Sequence, residues 1–214
     1  MNFVIITHVH HIKENSKYYG YAPYVREMNI WLHYVNEVTI VAPIETSKLD
    51  NIHLAYEHKN LKFKKVSTFN TTSFIHSLRT LFKLPSLLWT IFVAMKKADH
   101  IHLRCPGNMG LLGCLVQILF PNTPKTAKYA GNWDPNAKQP LTYKIQKWIL
   151  NNTFLTKNMQ VLVYGEWEGS SRNIKPFFTA TYSEADKETI LPRSLKQKIN
   201  FVFVGTLSSG KRPL

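Results

Sequence analysis

The segment FVIIT at residues 3–7 is an unbroken apolar run. That is the pattern of a strand buried on both faces, as in a parallel sheet. A polar loop, HVHHIKENSKYYG, follows it. In YAPYVREMNIWLHYV the apolar positions Val25, Met28, Leu32 and Val35 recur at helical spacing, which leaves Glu27 and His33 to face water. EVTIVAP predicts a second buried strand, closed by Pro43, and LKFKKV a strand with interleaved polar residues at a sheet edge. TTSFIHSLRTLFKL and PSLLWTIFVAMKKA predict two helices separated at Pro85. HIHLRC is a strand. NMGLLGCLVQILF is a helix with Leu111, Leu112, Leu115, Val116 and Leu119 on one face. KTAKYA, MQVLVYG and KPFFTAT complete the predicted strands of this stretch. LTYKIQKWIL is a helix, and SEADKETI is a short helix opened by Ser183 as N-cap.

Strands alternating with helices predict right-handed βαβ units and an α/β, doubly wound, Rossmann-like parallel sheet covered on both faces. The expected domain covers residues 1–190. The polar, basic stretch LPRSLKQKIN, 191–200, reads as a linker. FVFVG then begins a new strand, so residues 201–214 read as the start of a second domain that is cut short. No internal repeat or low-complexity segment interrupts the pattern.

Composition narrows the function classes. The 214 residues are 44% hydrophobic and 19% charged, which supports a folded core rather than a disordered chain. With 27 Lys+Arg against 13 Asp+Glu the formal charge is +14. Such a surface attracts anions: nucleic acid, an anionic membrane or a phosphorylated substrate. Two cysteines, Cys105 and Cys114, do not make a disulfide framework and read as small buried residues in a reducing compartment. The N-terminus lacks a basic region ahead of its apolar run. The longest apolar stretch, LPSLLWTIFVAM, is well short of the roughly 20 residues of a membrane span. The expected location is cytoplasmic, with peripheral contact to the membrane.

In an open parallel sheet ligands bind beyond the carboxyl ends of the strands, and four segments follow such ends. The first holds His8, His10 and His11, with Gly20 and Tyr21 further on. No acidic or cysteine ligand lies at a metal-binding spacing, so hydrogen bonding to a substrate is the alternative to an ordinary loop. The dinucleotide fingerprint GxGxxG is absent. The second, RCPGNMG, offers the planar fork of Arg104 and a helix N-terminus at Asn108 for an anion. The third, KYAGNWDPN, gathers Lys128, Asn132, Trp133 and Asp134, an aromatic beside polar groups of the kind that holds a sugar ring. The alternative there is an Asn/Asp/Pro turn with the Trp covering the core. The fourth, VGTLSSGKRPL, places Gly205 after a strand and Lys211 after a short polar loop, which suits a phosphate but lacks the triphosphate-binding pattern GxxxxGK[ST].

VFVGTLSSGKRPL resembles the opening of the C-terminal domain in retaining glycosyltransferases of the GT-B fold, the group 1 (family 4 type) enzymes. Gly205 and Lys211 match that family's strand-end Gly and Gly-Lys turn, and Thr206 stands where it usually has Arg. The preceding residues resemble the family's N-terminal, acceptor-binding domain in the order of their segments, with Arg104 and Cys105 where the family often has His. The resemblance implies transfer of a sugar from a nucleotide-diphosphate sugar to a glycan or lipid-linked acceptor with retention, in bacterial surface polysaccharide synthesis. It implies no cofactor and no catalytic metal, with Gly205 and Lys211 on the donor diphosphate and the acceptor on the first domain. A chain ending just inside the second domain is expected to be inactive alone. The competing reading is a basic α/β module for nucleic acid. That would need a Lys/Arg stripe with exposed aromatics, whereas the basic residues are spread along the whole chain.

Overall fold

The computed structural model describes residues 1–67, 74–178, 187–189 and 202, with side chains of the second helix described from Lys83 onward. The chain divides into two units, residues 1–181 and 182–214, and the architecture is that of the first. In chain order its elements are β1 (Asn2–Ile6), β2 (His11–Glu14), β3 (Lys17–Tyr21), α1 (Ala22–Leu32), β4 (Glu37–Glu45), β5 (His53–Ala55), β6 (Leu61–Val66), α2 (Phe74–Met95), β7 (His100–Cys105), α3 (Asn108–Val116), β8 (Lys125–Tyr129), α4 (Leu141–Leu150), β9 (Met159–Val163) and β10 (Ile174–Pro176). The expected helix at 183–190, linker at 191–200 and strand at 201–204 lie outside the described residues, save for 187–189 and Val202.

Among the described residues the protein is α/β, with a ten-stranded, mostly parallel mixed sheet. Its parallel part runs β10-β9-β8-β7-β1-β4-β6. β2 extends it, pairing in parallel with the last residues of β4, and β3 and β5 follow antiparallel. The chain fills the sheet outward from β1 in one direction through β4 and β6, then returns through α2 and fills the other direction from β7 to β10. The winding therefore reverses between β1 and β7. A crevice opens at such a point because the connections diverge to opposite faces.

Two apolar layers cover the sheet. On one face α1 lays Tyr24, Val25, Met28 and Leu32 against Phe3, Ile5, Val38 and Ile40. On the other, Leu87, Ile91 and Met95 of α2, Leu112 and Val116 of α3 and Ile149 of α4 pack on Val4, Ile6, Leu103, Ala127 and Val161. Strand residues alternate between the two layers with period two. α3 sits unusually close to β7. A Cβ on Gly110 would lie 2.8 Å from the Arg104 carbonyl oxygen, and one on Gly113 would lie 2.8 Å from Leu103 Cδ2. No helix among the described residues is long and apolar enough to cross a membrane.

Several local expectations are corrected. The polar loop after β1 is the β2–β3 hairpin, turned at Asn15 and Ser16, whose φ of 47° and 62° suit the mirror-image turns that match strand twist. Pro43 does not close its strand, since β4 runs on to Glu45. α2 is one helix with Pro85 inside it, because a single lost hydrogen bond leaves the rest of the 22-residue ladder in place. Leu115 and Leu119 are 45% and 65% exposed, off the face that Leu112 and Val116 bury. Glu27 does not face water: it is 6% exposed.

Candidate functional site

At the reversal point three chain segments reach the carboxyl edge together. β1 ends at Ile6 and leads into Thr7 and His8, β7 ends in Arg104 and Cys105, and β8 in Lys128 and Tyr129. The period of two sends His100, His102 and Arg104 to the α1 side of the sheet. There His100 stacks on Phe3 at 5.1 Å and His102 meets Trp31 edge-on at 4.9 Å. Burial without a charged partner holds His102 neutral and lowers its pKa to about 3, with the Arg104 cation adding to the effect. One turn of the strand further on, the apolar wall gives way to charge.

Lys128 Nζ donates to Glu27 Oε2 at 2.6 Å, and Arg104 Nη1 stands 4.0 Å from the same oxygen. The side chains of Lys128 and Glu27 are 2% and 6% exposed, that of Arg104 15%. The three arrive from α1, β7 and β8. The guanidinium carbon of Arg104 lies 5.2 Å from the centre of the Tyr24 ring, and Lys128 Nζ lies 4.7 Å from that of Phe177, contacts worth about 0.5–2 kcal/mol each. Glu27 Oε1, Arg104 Nη1 and the Tyr24 hydroxyl are buried without a hydrogen-bond partner of good geometry among the described residues. Burial raises the pKa of the Tyr24 phenol, opposed by the neighbouring Thr7 hydroxyl and the Arg104 cation. These groups hold a surplus of hydrogen-bonding capacity in a region water hardly enters.

His8 stands at the mouth of this cluster. Its ring packs beneath Gly107, where a Cβ would approach Nδ1 to 2.7 Å. Enclosure of its inner side, and then the Arg104 charge, lower its pKa, which favours the neutral imidazole.

The other residues singled out from sequence separate. His10 is half-exposed and pairs with Glu45 at 3.0 Å. His11 is wholly enclosed, hydrogen-bonds with the Tyr56 hydroxyl at 2.9 Å, and is held neutral by burial with a pKa of about 4. Gly20 faces it across the hairpin, where a Cβ would meet the His11 ring at 3.3 Å, and Tyr21 lies 53% exposed ahead of α1. His11 and Gly20 therefore shape the hairpin and offer no open surface to a substrate. Asn108 begins α3 beside the Arg104 turn. Among the described residues no three His, Cys, Asp or Glu side chains gather as metal ligands. Gly205 and Lys211 lie outside the described residues.

Trp133 is 4% exposed, edge-on to Tyr129 at 5.0 Å. It has no free face for a sugar to stack on, so it covers the core. Asn132 Oδ1 accepts from the Asp134 backbone N–H at 2.8 Å, the ordinary Asx turn of such a loop. The rim of Trp133 does line a 340 Å³ pocket with Lys144, Lys147, Trp148 and Glu168, where Trp148 supplies the exposed indole, 64% open. The loop still lies at the crevice: Gly131 stands against Pro106, 3.0 Å from where its Cβ would be. The segments carrying His8, Arg104 and Trp133 thus meet at one edge.

Sequence reasoning missed Glu27, Tyr24 and Trp148. Glu27 lies three positions after the buried Tyr24, on the flank of the arc that Val25, Met28 and Leu32 bury, and the apolar spacing alone does not mark it. No protein-family model matches the chain, and no curated protein is significantly similar to it.

Proposed function

We propose that this chain supplies the acceptor-binding domain of a retaining glycosyltransferase, which moves a sugar from a nucleotide-diphosphate sugar to a glycan or lipid-linked acceptor. The observation supporting this reading is the meeting of the β1, β7 and β8 loops at the reversal of strand order, with polar groups lacking partners at its base. The likeness of residues 201–214 to the opening of a donor-binding domain supports it from sequence. In this reading the described domain orients the acceptor hydroxyl, and catalysis comes from holding it against the donor and stabilising the diphosphate leaving group. Neutral His8 and Asn108 at the mouth suit hydroxyl recognition, each offering donor and acceptor capacity.

The test is nuclear magnetic resonance titration of the labelled chain with short glycans, lipid-linked oligosaccharides, nucleotide sugars and duplex DNA. Glycan or lipid-linked acceptors should shift the amides of residues 7–9, 104–108 and 128–131. Shifts there from nucleotide sugars alone would move the donor site into this domain. Tight, salt-sensitive duplex binding without any glycan response would replace the reading with that of a nucleic-acid module.

A further inference from the structure

On the acceptor-domain reading above, we infer that the crevice between β1 and β7 takes an acceptor bearing an oxyanion, a phosphate ester or a carboxylate, and that Arg104 grips it. Glu27 Oε2 lies 2.6 Å from Lys128 Nζ but 4.0 Å from Arg104 Nη1, so Lys128 takes the carboxylate and Arg104 is left beyond hydrogen-bond reach. A buried guanidinium N–H without an acceptor is costly and rare in a finished site. Arg104 Nη1 is such a group. An oxyanion accepts from it without displacing any hydrogen bond that Nη1 makes now. The planar fork of Arg matches two oxygens of a carboxylate or phosphate, which a single sugar hydroxyl cannot do. Arg104 is also the most exposed of the three charged groups, at the point where ligands enter such sheets. Glu27 and Lys128 act as positioning residues. Their pair draws the guanidinium inward without saturating it.

Isothermal titration of the full chain with D-glucose 1-phosphate, D-glucuronate and D-glucose tests this, with the two charged sugars separating phosphate from carboxylate. At least one charged sugar should bind tenfold or more tightly than glucose. Arg104→Gln should abolish the preference, and Arg104→Lys should restore only part of it. Lys62→Gln, which removes a cation on the exposed edge strand, should change nothing. Circular dichroism on each variant confirms that it folds. If Arg104→Gln does not fold, the Arg104→Lys comparison decides. No binding of either charged sugar, no preference over glucose, or a preference that survives loss of Arg104 overturns the inference. The readout is binding alone. An anion preference with no response to glycan or lipid-linked acceptors in the resonance titration would sink the glycosyltransferase reading and leave the site. A response to neutral glycan acceptors with no anion preference would do the reverse.

Discussion

Lys128 Nζ and Glu27 Oε2 meet at 2.6 Å although 101 positions separate them in the chain. The contact joins the middle of α1 to the end of β8, across the line where the winding of the sheet reverses. Neither residue is exposed enough for water to substitute for its partner.

Removing one member should therefore cost far more than removing both. Glu27→Gln leaves Lys128 as a buried cation and is expected to destabilise the fold by about 3–5 kcal/mol, whereas the double variant Glu27→Gln/Lys128→Met should lose much less than the sum of its parts. Urea denaturation of the four members of the cycle at pH 7 measures this. A loss below about 1 kcal/mol for Glu27→Gln would mean that the pair is not closed off from solvent.

Two enclosed histidines set a pH limit. His11 and His102 titrate near 6.5 when unfolded and near about 4 and about 3 in the native state. Above pH 6.5 both are neutral in both states and cost nothing. As pH falls below that value the unfolded chain takes up protons that the folded chain refuses, so stability drops by about 1.4 kcal/mol per pH unit for each histidine until the native pKa is reached. The urea midpoint should fall steadily from pH 6.5 to 5, and His102→Gln should flatten part of that slope. A midpoint independent of pH over that window would show that these rings are hydrated.

The close seating of α3 on β7 makes a third test. Gly110→Ala drives a methyl to 2.8 Å from a backbone carbonyl oxygen that cannot step aside, while Gly113→Ala meets the end of the Leu103 side chain, which can rotate. The helix gains about 1 kcal/mol of propensity from either change. Overpacking is expected to outweigh it at Gly110, for a net loss of about 1–2 kcal/mol, and to cancel it more nearly at Gly113. Thermal melts of the two single variants should therefore rank Gly110→Ala below Gly113→Ala. The opposite order would mean that α3 slides on the strand.

The alternation of strands and helices was legible because β1 is an unbroken apolar run, while β4, β7 and β9 carry apolar residues at least at every second position. The β2–β3 hairpin was hidden because its strands carry Lys13, Glu14, Lys17 and three tyrosines, with only His11, Ile12 and Gly20 buried. Asn15-Ser16, a weaker form of the usual Asn-Gly turn, was the available clue. Pro85 misled through a rule about single hydrogen bonds, which a long helix outweighs. At the candidate site, topology put Arg104 and Lys128 at the carboxyl edge, where the structure has them. Nothing local to either residue announced Glu27, because a buried carboxylate is defined by partners from distant strands. Trp133 was chosen for its chemistry, and burial decided otherwise.

The tie from α1 to β8 also has an order in time. During synthesis Glu27 leaves the ribosome well before either of its cationic partners, and its carboxylate keeps one side of the newborn helix wet. The residues that α1, β1 and β4 contribute hold no cation that reaches this carboxylate among the described contacts. It leaves water only where the strands bearing Arg104 and Lys128 dock beside β1, and a contact across so long a stretch of chain is slow to close by its nature. The charge that completes the domain is thus one that its first half cannot bury by itself.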